Sequence, residues 1–123
     1  MKLEHSSSFF VFDKDLNYGN TLFGGKLMAE CDCEAAKVAR EIVIFSNADN
    51  AVTASFNMTF TAPAHKGDLI MMIAKISNIG RTSLTIEVHC TKELITGEMV
   101  QIGVAETIFV IMKDGKPHVH NLK

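Results

Sequence analysis

The sequence predicts an α+β fold: one long helix wrapped by an antiparallel β-sheet of about five strands. Three observations carry this expectation. Residues 24–43 place apolar side chains at helical spacing over more than half the circumference, so the helix needs a broad cover. Residues beyond 50 fall into four strand-like runs separated by short clusters of turn residues. One early strand precedes the helix, and a sheet wrapped around a helix is the layer packing that buries both. At 123 residues the chain reads as a single domain, 1–123.

Taken in order, residues 8–12 (SFFVF) read as a short strand, and residues 13–21 supply the Asp, Asn and Gly of a loop. Gly24-Gly25 opens the helix. Wound at about 100° per residue, Leu27, Cys31, Ala35, Val38, Ala39 and Ile42 share an arc that Met28, Ala29, Ala36 and Val43 extend. Glu30, Glu34, Lys37 and Glu41 cluster opposite, the side expected to face solvent. The helix is expected to stop near Phe45, ahead of the turn residues SNADN. In residues 51–61, Val52, Ala54, Phe56, Met58 and Phe60 alternate with Thr53, Ser55, Asn57 and Thr59. Strands at 69–77, 83–91 and 99–112 follow, punctuated by Gly67-Asp68, Gly80-Arg81 and Thr96-Gly97, and Asp114-Gly115 starts a polar tail. Short turns imply antiparallel neighbours. The polar second face of 51–61 and the long edge strands call for a partner subunit.

Composition narrows the function. A net charge of −2 gives no basic footprint for nucleic acid, and one Tyr with no Trp gives no stacking platform for bases. No apolar run approaches the roughly 18 residues needed to span a bilayer, so a cytoplasmic protein with no membrane partner is expected. Three cysteines, with Cys31 and Cys33 one residue apart, suit neither a disulfide framework nor a zinc quartet, so no metal is expected. The segment from Gly19 to Lys26 is not a P-loop, because Leu27 follows the lysine.

One acid stands out. Asp32 lies inside the apolar arc, and a carboxylate there is costly unless it is paired or put to use. Eight residues before it, Gly24 begins the helix, where N–H groups lack internal partners and can hold an oxyanion. Glycine also lets a ligand approach the backbone closely. Asn17 lies in the preceding loop. Gly80-Arg81-Thr82-Ser83 offers a cation and two hydroxyls suited to phosphate.

The order Asn17, Phe23-Gly24-Gly25, Asp32, followed by Val52-Thr53 through Phe60 and Pro63, Gly67-Asp68, Gly80-Arg81-Thr82-Ser83 and Thr107–Val110, resembles hotdog-fold acyl-CoA thioesterases of the acyl-CoA hydrolase branch. The likeness runs from about residue 8 to 117. Phe23 stands where several branches carry histidine, and Ala36 where some carry a hydroxyl residue.

The resemblance implies a hotdog fold and a homodimer, often a tetramer or hexamer, with active sites at the dimer interface. It implies hydrolysis of an acyl-CoA thioester to a free acid and CoA, without a cofactor. Asp32 would be general base or nucleophile, and the Gly24 N–H the oxyanion donor. Asn17 would orient the reacting group, facing Asp32 of the other subunit. Phe23, Gly25, Met28 and Phe56 would line the acyl and thioester region, and Arg81, Thr82 and Ser83 would meet the CoA phosphates. The alternative is a hotdog protein that binds acyl-CoA as sensor or carrier without turning it over.

Overall fold

A computed structural model describes residues 1–122. The chain runs β1 (Glu4–Phe10), a 3-10 turn (Asp13–Asp15), α1 (Gly24–Phe45), β2 (Asn50–Phe60), β3 (Leu69–Ile79), β4 (Ser83–Glu93), β5 (Met99–Lys113) and the two-residue β6 (Lys116–Pro117). The sheet order is β1-β3-β4-β5-β2, every pairing is antiparallel, and β6 pairs with β5. The expected helix-in-sheet architecture is what the chain forms. No helix among the described residues is long and apolar enough to cross a membrane.

The core lies between the inner faces of α1 and the sheet. Leu27, Cys31, Ala35, Val38, Ala39 and Ile42 meet Ile70, Met72, Leu84, Ile86, Val88 and Ile111, all buried. Burying each larger aliphatic contributes roughly 1.5–3 kcal/mol. At mid-helix, Cys31 Sγ lies 3.2 Å from Cys90 Sγ of β4, and neither residue is exposed. Hydrogen bonding to Cys90, reinforced by burial, pushes the Cys31 thiol above its ordinary range. Cys33 is exposed. A thiol reagent should therefore titrate one cysteine rapidly in the native protein and three after unfolding. A second fast native thiol would mean that α1 is not seated on β4 as described.

Four expectations need correction. First, the leading strand is Glu4–Phe10, not 8–12, and its inward residues are His5, Ser7 and Phe9. Hydrophobicity alone hid it, because β1 covers the charged side of α1 instead of an apolar one. That side faces solvent only in part: Lys37 is exposed, but Glu34 is 1% exposed, its Oε1 accepting from Ser7 Oγ (2.7 Å) and Lys37 Nζ (2.8 Å).

Second, β2 does not neighbour β3. Residues 61–68 carry the chain from β2, on one edge beside β5, across to β3, next to β1. This connection passes the N-terminal end of α1, where the Ala64 carbonyl accepts from Leu22 N–H (2.8 Å).

Third, β2 carries a bulge between Thr53 and Ser55 that reverses its alternation. Thr53 pairs with Phe109 and Phe56 with Thr107, both buried on the helix side, so Thr53 shares a face with Phe56, and Val52 does not.

Fourth, the tail is packed. His120 is 2% exposed, accepting from Leu122 N–H at Nδ1 and therefore donating from Nε2 to the Ser83 carbonyl (3.2 Å).

Candidate active site

Asp32 sits at the border of the helix core. The apolar arc is wider than the sheet can cover: Met28, Ala29 and Ala36 stay exposed along the side of α1 next to edge strand β2. Asp32 is half-buried among them. With Met28, Ala29 and Phe56 it lines an open hollow of about 320 Å³. Thr53 Oγ1 donates to Asp32 Oδ1 at 3.3 Å. Simple alternation turns Thr53 away from the helix, and only the bulge brings it to Asp32, so the two-residue period could not have assigned it to the site. A carboxylate held by one hydroxyl, with apolar walls and an open front, can accept a proton from water or attack carbon.

Gly24 opens onto a second hollow, of about 440 Å³, between the first turn of α1 and the 61–64 connection, with Thr21, Leu27, Phe60 and Ile102 in its walls. Phe23 precedes the helix in extended conformation, and no side chain caps it. Lys26 N–H and Leu27 N–H both return to the Phe23 carbonyl. The Gly24 and Gly25 N–H groups have no intrahelical acceptor and carry the positive end of the helix dipole. Two aromatic rings pack closely on these glycines. A Cβ at position 24 would lie 3.2 Å from the Phe60 ring, and one at position 25 would lie 2.5 Å from the Phe23 ring.

Asn17 closes its own loop. Its Oδ1 accepts Thr21 N–H and its Nδ2 donates to Thr21 Oγ1, both at 3.0 Å. Among the described residues of one chain it makes no hydrogen bond to Asp32. Arg81 is exposed at the β3–β4 turn, beside a small hollow formed with Val119–Leu122. Gly80 packs against the Ser83 hydroxyl there: a Cβ would fall 2.4 Å from Ser83 Oγ. The sequence-derived site residues therefore form three groups in one chain: Asp32, Met28 and Phe56; Gly24 and Gly25 with Phe23 and the Asn17 loop; and the Arg81 turn. Among the described residues, no set of three or more His, Cys, Asp or Glu is grouped as for a metal ion.

Residues 19–96 match the model of the thioesterase superfamily. The chain belongs to that superfamily. Relatives of the chain bear out the family resemblance drawn from its sequence. The uncharacterized acyl-CoA thioester hydrolase YkhA of Bacillus subtilis is 31% identical over 113 residues, covering 87% of this chain and 62% of that protein. The chain thus spans somewhat less than two thirds of that relative's length.

Among solved structures, the acyl-CoA hydrolase of Staphylococcus aureus, in complex with butyryl coenzyme A, coenzyme A and coenzyme A disulfide, is 29% identical with a TM-score of 0.84, covering 94% of this chain and 70% of that one. Companion structures replace with alanine an aspartate, an asparagine fifteen positions before it, and a threonine. The hexameric thioesterase of Yersinia pestis is 28% identical with a TM-score of 0.80, covering 92% of this chain and 91% of that one.

Proposed function

We propose that this thioesterase hydrolyses acyl-CoA thioesters in a site completed by a second copy of the chain. The observation that carries the reading is the Asp32–Thr53 pair, open to an apolar hollow beside an edge strand. The separation of Asn17 and Asp32 equals that of the asparagine and aspartate replaced in the Staphylococcus enzyme; the threonine replaced there follows its aspartate by 17 positions, where Thr53 follows Asp32 by 21.

The thioester carbonyl oxygen lies at the Gly24 N–H, which stabilises the charge that builds on it. In one branch Asp32 takes a proton from water as the water oxygen bonds to the carbonyl carbon. The tetrahedral intermediate then collapses to the free acid, and the CoA thiolate leaves and regains a proton. In the other branch the Asp32 carboxylate attacks, expels the thiolate and forms an anhydride that water hydrolyses. Phe23, Gly25, Met28 and Phe56 line the thioester and acyl region. Arg81, Thr82 and Ser83 meet the CoA phosphates as donors. The chemistry needs no cofactor.

A second copy covers the exposed strip of Met28, Ala29 and Ala36 and the unpaired edge of β2, where Val52 is 41% exposed. The dimer is the minimal unit, and the hexameric Yersinia relative supports assembly beyond it. Thiol release across a panel of acyl-CoAs of different length and polarity tests the reading. Turnover of at least one is expected; tight binding of acyl-CoA with no thiol released from any would instead make the chain a sensor or carrier.

A further inference from the structure

A buried carboxylate that the proposed chemistry does not use lies in the loop before α1. Asp15 is 5% exposed, two residues before Asn17. Its Oδ2 accepts the Phe12 N–H at 2.9 Å, which closes the start of the 3-10 turn. Its Oδ1 lies 3.3 Å from Lys14 Nζ and 3.8 Å from Lys26 Nζ. Its own carbonyl accepts the Phe23 N–H at 2.8 Å, immediately before Gly24. One residue therefore binds both ends of the segment that carries Asn17 and delivers Gly24.

Lys26 is the helix side of this clamp. A cation in the first turn of a helix opposes the dipole, and α1 has no acid in its first turn to offset it. Lys26 is instead held by Glu30 one turn later (2.9 Å), by Asp15 from the loop and by the Phe9 ring, 5.4 Å from its Nζ. Glu30 closes a pair within the helix and ties nothing else to it. Asp15 is the acid through which Lys26 reaches the loop. The Phe12 N–H, opposed by burial and aided by Lys14 and Lys26, keeps the Asp15 carboxyl below the usual carboxylate range, so it is ionised at neutral pH.

We infer that Asp15 is a positioning residue for catalysis: with Lys26 it sets the loop so that the Gly24 N–H and the Asn17 amide stand at fixed places relative to the substrate carbonyl. This rests on the roles proposed above for Gly24 and Asn17. Displacing oxyanion donors weakens transition-state stabilisation more than ground-state binding, so the signature is a loss in kcat with KM nearly constant.

The test uses Asp15→Asn, which keeps an acceptor for the Phe12 N–H but removes the charge that holds Lys26. Asp15→Ala removes both, and the asparagine variant carries the test if the alanine variant does not fold. Expected for Asp15→Asn is a kcat lowered about tenfold with KM within about twofold. Expected for Asp15→Asn combined with Asn17→Ala is a kcat within about threefold of Asn17→Ala alone, because both changes release the same loop. A lower melting temperature with kcat within twofold of wild type would overturn the inference, leaving Asp15 structural. Where Asn17→Ala itself lowers kcat, fully multiplicative losses in the double variant would overturn it too, as would a loss carried by KM alone. If Asn17→Ala by itself keeps full activity while Asp15→Asn loses kcat, the role given to Asn17 fails, and the positioning role stands through Gly24.

Discussion

Replacing Asp32 with asparagine lowers kcat for acyl-CoA hydrolysis about 10³-fold, with KM changed less than about threefold. The asparagine keeps the shape of the site and can still accept from Thr53 Oγ1, the partner of Oδ1 at 3.3 Å. It loses the ability to take a proton from water or to attack as a carboxylate. The Met28, Ala29 and Phe56 surroundings are unchanged, so binding survives while chemistry does not. Thr53→Val should cost less, on the order of tenfold, because it removes one orienting hydrogen bond and leaves the charge. Thiol release by purified variants at saturating substrate reads both effects. An Asp32→Asn enzyme within tenfold of wild type would remove Asp32 from the mechanism. Single turnover of the wild type in ¹⁸O-water then separates the two branches: label entering the Asp32 carboxylate requires the anhydride, and label confined to the product acid argues for direct attack by water.

The helix and its anomalous acid were legible because the 3.6-residue period survives from Gly24 to Phe45. What the period could not tell was which parts of the arc the sheet covers. Asp32 lies on the arc but at its uncovered rim, beside exposed Ala29 and Ala36. Glu34 misled in the opposite sense. Its helical position looked solvent-facing, yet β1 closes over it and supplies Ser7 as partner. A strand that covers a charged helix face needs small and polar inward residues, so His5 and Ser7 gave no hydrophobic signal.

Thr53 was lost for a different reason. A single extra residue at the β2 bulge shifts the phase of a two-residue repeat, and every residue before it changes face. The bulge is also what makes the site, since the straight strand would turn Val52 toward the helix and Thr53 away. Asp15 read as ordinary turn chemistry because its partners, Phe12, Phe23 and Lys26, come together only in the folded loop. Local patterns located the groups that carry the proposed chemistry, and long-range packing supplied the groups that hold them.

Mixing two impaired variants, Asn17→Ala and Asp32→Ala, should restore activity. Within one chain Gly24 and Asp32 are eight residues apart on α1, about 12 Å along its axis. They open into separate hollows walled by Phe60 and Phe56 of the same edge strand. A two-fold partner lying antiparallel along this seam would bring its own helix start to Asp32. In such an isologous contact, paired positions have a constant sum. Meeting of Gly24 with Asp32 therefore puts Met28, 38% exposed in the Asp32 hollow, at the axis.

Each complete site would then take Asp32 from one chain and Asn17 with Gly24 from the other. In a mixed dimer of the two variants, one site carries both defects and the second carries neither. Random reassociation makes about half of the dimers mixed, so refolding the variants together recovers about a quarter of wild-type activity. Each variant refolded alone stays at its own low rate. If mixing recovers nothing although mixed dimers form, Asn17 and Asp32 serve the same chain, and the 17–24 loop must then close over its own helix to reach the acid.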